Sequence, residues 1–129
     1  TFVNDTVQDY LVMTQEKFDI ILLSFVLMYI NDEDILSVLS GIVQHASEKC
    51  VIYAQNSVAL DKRLTLRNVN SEALKSDYSA IYRTVAEYEA YYSMFLDNGF
   101  DLIAKGFVPK LNDEKQYAET SRAYFVYKR

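Results

Sequence analysis

FDIILLSFVLMYI, residues 18–30, is an apolar block without a period of two, which is typical of a strand covered on both faces of a sheet. The next residues, NDEDILSVLSGIVQHAS (31–47), begin with an asparagine and three acids, which favour the start of a helix. CVIYAQNSV, residues 50–58, is a second β-rich block. Strand, helix and strand with short joins form a βαβ unit, so we expect two parallel strands with the helix covering one face.

The segments next to this unit are less regular. Residues 1–3 resemble the end of an earlier strand, and the polar run NDTVQD follows them. Residues 59–83 have no clear period, and we expect only a short helix near residues 71–78 within this long connection. A connection of such length often shapes a binding site.

The last third of the chain predicts one helix and two strands. Thr84 and Glu87 have the spacing of a capping box, and the helix that they begin should end at the Asn-Gly pair 98–99. FDLIAKGFV (100–108) and SRAYFVYK (121–128) are strands, and the last is apolar on both faces, which indicates an interior position. We therefore predict an α/β fold with a Rossmann-like open sheet, mostly parallel, with an antiparallel last strand.

Composition limits the classes of function. At 129 residues, half of them apolar, the chain is long enough for one domain with a substantial core. A net charge of −5 without a basic stripe argues against a nucleic-acid partner. Cys50 and His45 are the only residues of their types, so the chain alone builds neither a disulfide framework nor a zinc site. The apolar run 20–30 is too short to span a membrane and no leader is evident, so we expect a cytoplasmic protein without a membrane partner.

Polar residues follow three of the predicted strands. In open α/β sheets, ligands bind beyond the carboxyl ends of the strands. This rule selects residues 5–9, which begin with Asp5, residues 24–29 and residues 55–57. Together they predict a small-molecule site at one edge of the sheet.

The same residues resemble the class I S-adenosylmethionine-dependent methyltransferases. The resemblance rests on the Phe18-Asp19 opening of an apolar strand, its exit at Ser24-Phe25-Val26-Leu27 and the acidic helix start. It continues in DNGFDLIAKGFVP and SRAYFVYKR, which are similar to the last two strands of the family. The likeness covers nearly the whole chain and implies that S-adenosylmethionine is the cofactor.

The resemblance also implies roles for individual residues. Asp5 lies in the first ligand segment, and Val7 and Gln8 correspond to positions at the adenine. Ser24 and Phe25 correspond to positions near the methionine part or the acceptor, where Phe25 would face the sulfonium. Asn56 would hydrogen-bond an acceptor amine or hydroxyl, and it is the residue to which we assign a catalytic role. Tyr29 and Tyr82 are the expected walls of the acceptor site; a metal ligand is not expected.

The family's glycine-rich cofactor turn has no counterpart in this sequence. Gly41, Gly99 and Gly106 are the only glycines, and none lies between a strand and a helix in the required pattern. The chain therefore resembles the carboxyl-terminal part of a methyltransferase domain, over residues 1–129, without the first βαβ unit of the family. The strand that begins at Phe18 would then have an unpaired edge. We expect a second copy or an amino-terminal segment to cover it.

Two functions remain open. The first is methyl transfer from S-adenosylmethionine to a small molecule, a sugar or a peptide amine in the complete enzyme. The second is a non-catalytic Rossmann-like partner that activates a true methyltransferase. We assign no general base, although Asp61 is the nearest acid along the chain. Asp32, Glu33 and Asp34 are interpreted as helix-start residues and not as a metal site.

Overall fold

The computed structural model describes residues 2–71, 76–109 and 119–129. In chain order the elements are α1 (Val7–Met13), β1 (Phe18–Ser24), a 3-10 turn (Leu27–Tyr29), α2 (Asp32–His45), β2 (Ala46–Ala59), β3 (Leu64–Ser71), β4 (Ser76–Tyr82), α3 (Val85–Asp97), β5 (Asp101–Phe107) and β6 (Thr120–Lys128).

Four strands form one sheet in the order β1-β2-β6-β5, and β3 pairs with β4 in a separate hairpin. β1 is parallel to β2, while β6 is antiparallel to both β2 and β5. The predicted open sheet, mostly parallel with an antiparallel interior last strand, is confirmed. The parallel pairing follows from the α2 crossover, since a helix between two strands returns the chain to the same edge.

One face of the sheet carries the core. Buried side chains of α2 and α3 pack there against the alternate residues of the strands that point toward them, which include Leu23, Ile52, Ala54, Phe125 and Tyr127. Tyr92 of α3 is at the centre, with ring centroids 5.1 Å from Phe125 and 5.6 Å from Tyr127. α1 packs against α2 through Leu11, which lies against Gly41.

The opposite face is not covered by any helix of the described chain. Ile20 and Leu22 of β1 are each 68% exposed there. Register places further apolar residues beside them, because directly paired residues share a face. We call this surface the open face, and it consists of Ile20, Leu22, Val51, Tyr53, Tyr124 and Val126. None of the helices in the described residues is long and apolar enough to cross a bilayer.

Several predicted boundaries were wrong. The apolar block 18–30 is a strand only to Ser24, after which Phe25 adopts a φ of 56° and a 3-10 turn follows. Apolar character could not distinguish strand from turn here, because the apolar run continues through both, and the strand is largely exposed on one face. Phe2 and Val3 lie in no strand, and Thr1 lies outside the described residues.

The chain before and after the βαβ unit also differs from expectation. Residues 7–13 form a helix that the polar sequence concealed; Thr6 caps it by accepting from the N–H of Asp9 at 3.1 Å. The short helix expected near residues 71–78 is wrong where the structure describes those residues, since 71 ends β3 and 76–78 belong to β4. Residues 72–75 of that expected helix lie outside the described residues.

Candidate functional site

The chain bends at Phe25, at the carboxyl end of β1. Phe25 follows the strand with φ 56°, and its N–H donates to the carbonyl oxygen of Gln55 at 2.8 Å. A positive φ is costly for a bulky residue and persists where the surroundings impose it. The Phe25 ring packs near Met28, and the Arg122 guanidinium carbon lies 5.5 Å from the ring centroid. The cation at this ring is therefore one of the chain's own residues.

A buried arginine holds the segment after Phe25 in place. Arg83 is fully buried, and its guanidinium donates to the carbonyl oxygens of Leu27 at 2.8 Å and Ile30 at 2.6 Å. The same guanidinium donates to Oδ1 of Asp32 from Nε at 3.0 Å and from Nη2 at 2.9 Å. One side chain thus satisfies two backbone carbonyls of the turn and binds the first residue of α2.

Asp32 is the centre of an ion-pair network at the start of α2. Arg63 pairs with both Asp32 and Glu87, and Glu87 closes the capping box of α3 with Thr84. Hydrogen bonding to Arg63 and then to Arg83 lowers the pKa of Asp32 from 3.8 to about 2, against the raising effect of burial. Asn31 occupies the N-cap position of α2, but its side chain makes no capping hydrogen bond. The acid cluster is therefore structural, and the arginines explain Asp32 better than capping alone.

The first ligand segment forms a cavity with the turn after β1. This α1 cavity has a volume of about 370 Å³ and is lined by Val3, Asp5, Thr6, Val7, Tyr10 and Val26. Its walls are mostly apolar, and the exposed carboxylate of Asp5 supplies a hydrogen-bond acceptor at its rim. Apolar walls with a few polar groups are typical of sites for small molecules. The structure thus brings Asp5 and Val7 together with Val26, as the ligand rule predicted for the first two segments.

Gln8 does not line this cavity. It lines a separate groove of about 600 Å³ between α1 and α2, together with Ser37, Gly41 and His45. Since α1 is helical, Gln8 is rotated about 100° from Val7 around the helix axis. A role of Gln8 at the adenine stays a prediction, and the helix places it away from Val7.

Ser24 and Asn56 lie on opposite faces of the sheet. Ser24 is exposed and pairs with Gln55, so the next residue, Asn56, points to the other side. Asn56 is only 3% exposed, and its Nδ2 donates to the hydroxyl of Tyr92 at 3.5 Å. Its Oδ1 has no hydrogen-bond partner among the described residues. The expected parallel strands are confirmed, but these two side chains do not share a hollow.

The two tyrosines predicted for the acceptor site have different surroundings. Tyr29 is 54% exposed and lines a cavity of about 330 Å³ between the 3-10 turn and the β3–β4 hairpin. We call this space the hairpin cavity; its polar lining residues are Tyr29, Asn31, Thr65, Arg67, Asn68 and Ser79. Tyr82 is 7% exposed and packs in the small core with Met28, Ala59 and Ala80. It supports the hairpin instead of lining the cavity.

Sequence reasoning missed both arginines of the network and the hairpin itself. Arg83 lies between Tyr82, the last residue of β4, and Thr84, the N-cap of α3. An arginine between a buried tyrosine and a capping threonine indicates a buried cation. Asp61, the nearest acid along the chain, is exposed in the bend after β2. Among the described residues, no group of three His, Cys, Asp or Glu side chains could hold a metal ion.

Known structures share this architecture. A methyltransferase of Leishmania major, described as S-adenosylmethionine-dependent, matches with a TM-score of 0.58 and 15% identity over 92% of this chain and 42% of its own. One of Archaeoglobus fulgidus matches with a TM-score of 0.63 and 10% identity over 98% and 66%. Coclaurine N-methyltransferase, solved with N-methylheliamine and S-adenosylhomocysteine, matches with a TM-score of 0.60 and 8% identity over 90% and 49%.

The matches are limited to the fold and to part of each relative. No family model matches the sequence, and no curated protein matches it either. The chain spans between 42% and 66% of the length of the three structures above. The chain has the fold of a class I S-adenosylmethionine-dependent methyltransferase, over part of the length of these structures.

Proposed function

We propose that this chain is part of an enzyme that transfers a methyl group from S-adenosylmethionine to a small-molecule, sugar or amine acceptor. The observation that carries the proposal is the α1 cavity, which joins Asp5 and Val7 to Val26 at the carboxyl edge of a sheet with the methyltransferase fold. When bound, S-adenosylmethionine supplies an electrophilic methyl group, and its transfer to oxygen or nitrogen leaves S-adenosylhomocysteine and releases one proton.

The residues of the α1 cavity fit part of that cofactor. Val7, Val26 and the ring of Tyr10 would pack on the adenine, and the Asp5 carboxylate would accept from an amino or hydroxyl group. Phe25 and the turn after β1, which Arg83 holds in place, would then form the wall next to the methionine part of the cofactor. Because methyl transfer depends mainly on alignment and exclusion of water, the rigidity that Arg83 gives the turn is its main contribution.

Asn56 fits a positioning role better than direct contact with the acceptor. Its amide holds the hydroxyl of Tyr92 in the core, directly beyond the end of β1. We propose that Asn56 keeps the end of β2 and α3 in register with the site. In this role Asn56 contributes to the reaction although its side chain is buried.

Titration with S-adenosylhomocysteine followed by calorimetry tests the proposal. We expect weak binding by residues 1–129, tighter binding by any longer native form, and loss of binding in Val26→Arg. A matched substitution, Val12→Arg, changes an exposed valine of α1 outside the α1 cavity and should leave binding unchanged. Failure of both forms to bind would favour the second candidate, a non-catalytic partner of a methyltransferase, which the absence of a glycine-rich turn from this sequence favours.

We also propose that further polypeptide covers the open face and the outer edge of β1. β1 is the terminal strand of the described sheet, and its apolar side chains on the open face are largely exposed. Such a strand tends to pair with another chain or segment. A second copy or a segment that precedes residue 1 would fit, and the size of the particle in solution separates the two.

A further inference from the structure

We infer that the hairpin cavity binds a small polyhydroxylated molecule that carries one anionic group, and that this molecule is the methyl acceptor. The identification of this molecule as the methyl acceptor rests on the proposed function. The binding site is inferred from the residues of the cavity alone. The inference starts from the turn after β1, which the two cavities share.

Different residues of the turn line the α1 cavity and the hairpin cavity. Val26 lines the first, whereas Met28 and Tyr29, two and three residues later, line the second. Arg83 fixes the turn between them through the carbonyls of Leu27 and Ile30. Two cavities on either side of one rigid turn are the arrangement that a transfer between two bound molecules requires.

The walls of the hairpin cavity are held by a small core. Met28, Ala80 and Tyr82 are buried together, and Leu66 packs against them. A register shift between Leu66 and Val69, with Asn68 at φ 49°, interrupts the β3–β4 ladder at the cavity. Such a bulge takes side chains out of the regular alternation of a strand. The cavity is therefore built by the fold and is not a gap between loose loops.

Four polar side chains of the cavity have no partner among the described residues, whereas the Ser79 hydroxyl accepts from the N–H of Asn68 at 3.0 Å. Tyr29, Asn31, Thr65 and Arg67 make no side-chain hydrogen bond or ion pair to any residue that the structure describes. They offer two hydroxyls, one amide and one guanidinium to the same space. Hydroxyl and amide groups beside an exposed aromatic ring match the hydroxyls and the apolar faces of a sugar ring.

The charge of the cavity lining favours an anionic sugar over a neutral one. The lining includes Arg67 and no acidic residue, although the whole chain has 18 acids and only 13 lysines and arginines. The other nearby arginines, Arg63 and Arg83, are already paired with Asp32. A guanidinium without a carboxylate partner favours a ligand carboxylate or phosphate, to which it donates two parallel hydrogen bonds.

The test is an NMR titration of isotope-labelled protein with D-glucuronate, D-glucose 6-phosphate and D-glucose, each without the methyl donor. We expect the two anions to shift the amides of Tyr29, Thr65 and Arg67, and the better of them to identify the preferred anionic group. Neutral glucose should bind at least tenfold more weakly. Equal binding of all three, or no shift at these amides, would overturn the inference.

Two variants establish which cation is responsible. Arg67→Gln should weaken binding of the anions about tenfold or more and leave glucose unchanged. Lys49→Gln removes the same charge near the amino end of β2, at the other end of the sheet, and should change nothing. Should Arg67→Gln disturb the dispersed spectrum, Thr65→Val, which removes one hydroxyl from an exposed strand position, tests the cavity as the site: it should weaken binding of all three sugars, and unchanged binding would contradict the inference.

The two proposals fail separately. S-adenosylhomocysteine is followed through the amides of Val7 and Val26, and the sugar acids through those of Tyr29 and Arg67. Sugar-acid binding without any donor binding would contradict the proposed function and keep the site. Donor binding without sugar-acid binding would contradict this inference alone.

Discussion

The Nε2 atom of His45, in the last turn of α2, lies 2.9 Å from the carbonyl oxygen of Leu11 in α1. Its Nδ1 atom lies 2.9 Å from the carbonyl oxygen of Glu16 in the following loop. The imidazole ring thus lies between two backbone carbonyl oxygens, one in α1 and one in the loop that follows it. His45 thereby fastens α1, which carries Val7 of the α1 cavity, to α2.

Substitution of His45 tests this contact. His45→Leu removes the polar contacts of the ring and should raise hydrogen-exchange rates of the α1 amides about fivefold, since one hydrogen bond contributes ~1 kcal/mol. His45→Gln keeps one donor and should give an intermediate rate. The amides of β2 serve as the internal reference and should be unaffected. Unchanged exchange of α1 in His45→Leu would contradict the role.

Arg83 should be the most sensitive polar residue of the chain. Arg83→Met leaves two carbonyl oxygens and Asp32 without their buried donor, which should lower the free energy of unfolding by roughly 3 kcal/mol. Arg63→Met, at an arginine that is 32% exposed, should cost about 1 kcal/mol or less. Urea denaturation measures both. Equal losses in the two variants would contradict the assigned difference.

Acid should weaken the network through Asp32. The folded pKa of this carboxyl is about 2 against an ordinary value of 3.8, so its stabilisation is complete above about pH 4 and is lost as the pH falls toward 2. Asp32→Asn should remove this part of the pH dependence of the unfolding free energy. Asp34→Asn, in the same helical turn but without an ion pair among the described residues, should retain it.

The open face predicts self-association. Leu22→Lys introduces a charge at an apolar residue that is 68% exposed on β1, and it should shift any oligomer toward monomer. Leu36→Lys makes the same change at a leucine of α2 that is 50% exposed, and it should have no effect. Light scattering measures the particle mass. A native chain that is already monomeric and monodisperse would rule out the second copy and leave a preceding segment as the cover.

Much of the fold followed from patterns that are local in the chain. The acids at the start of α2, the capping box of Thr84 and Glu87, and the continuous apolar run of β6 each specify an element through residues that are close in sequence. The short connection between the elements of the βαβ unit then required β1 and β2 to be parallel. These features are readable because their physical causes lie in neighbouring residues.

The hairpin and the site were not readable in the same way. β3 and β4 are stabilised by contacts of Leu66 and Ala80 with Met28, which is distant in sequence, and their own patterns are weak. The prediction for Asn56 depended on the face of a strand, and a shift of one residue reverses that face. A pattern that lacks periodicity therefore could not assign it.

The sequence by itself determined α2, α3, the parallel β1–β2 pair and the interior position of β6, because hydrophobic patterning and capping act over short distances. Only the tertiary structure decided which side chains lie close together at the carboxyl edge of the sheet. Arg83 reaches carbonyls more than fifty residues away, and Val26 joins Asp5 in one cavity, through packing that no local pattern encodes. Such contacts depend on how the elements are stacked, and that is set by the core as a whole.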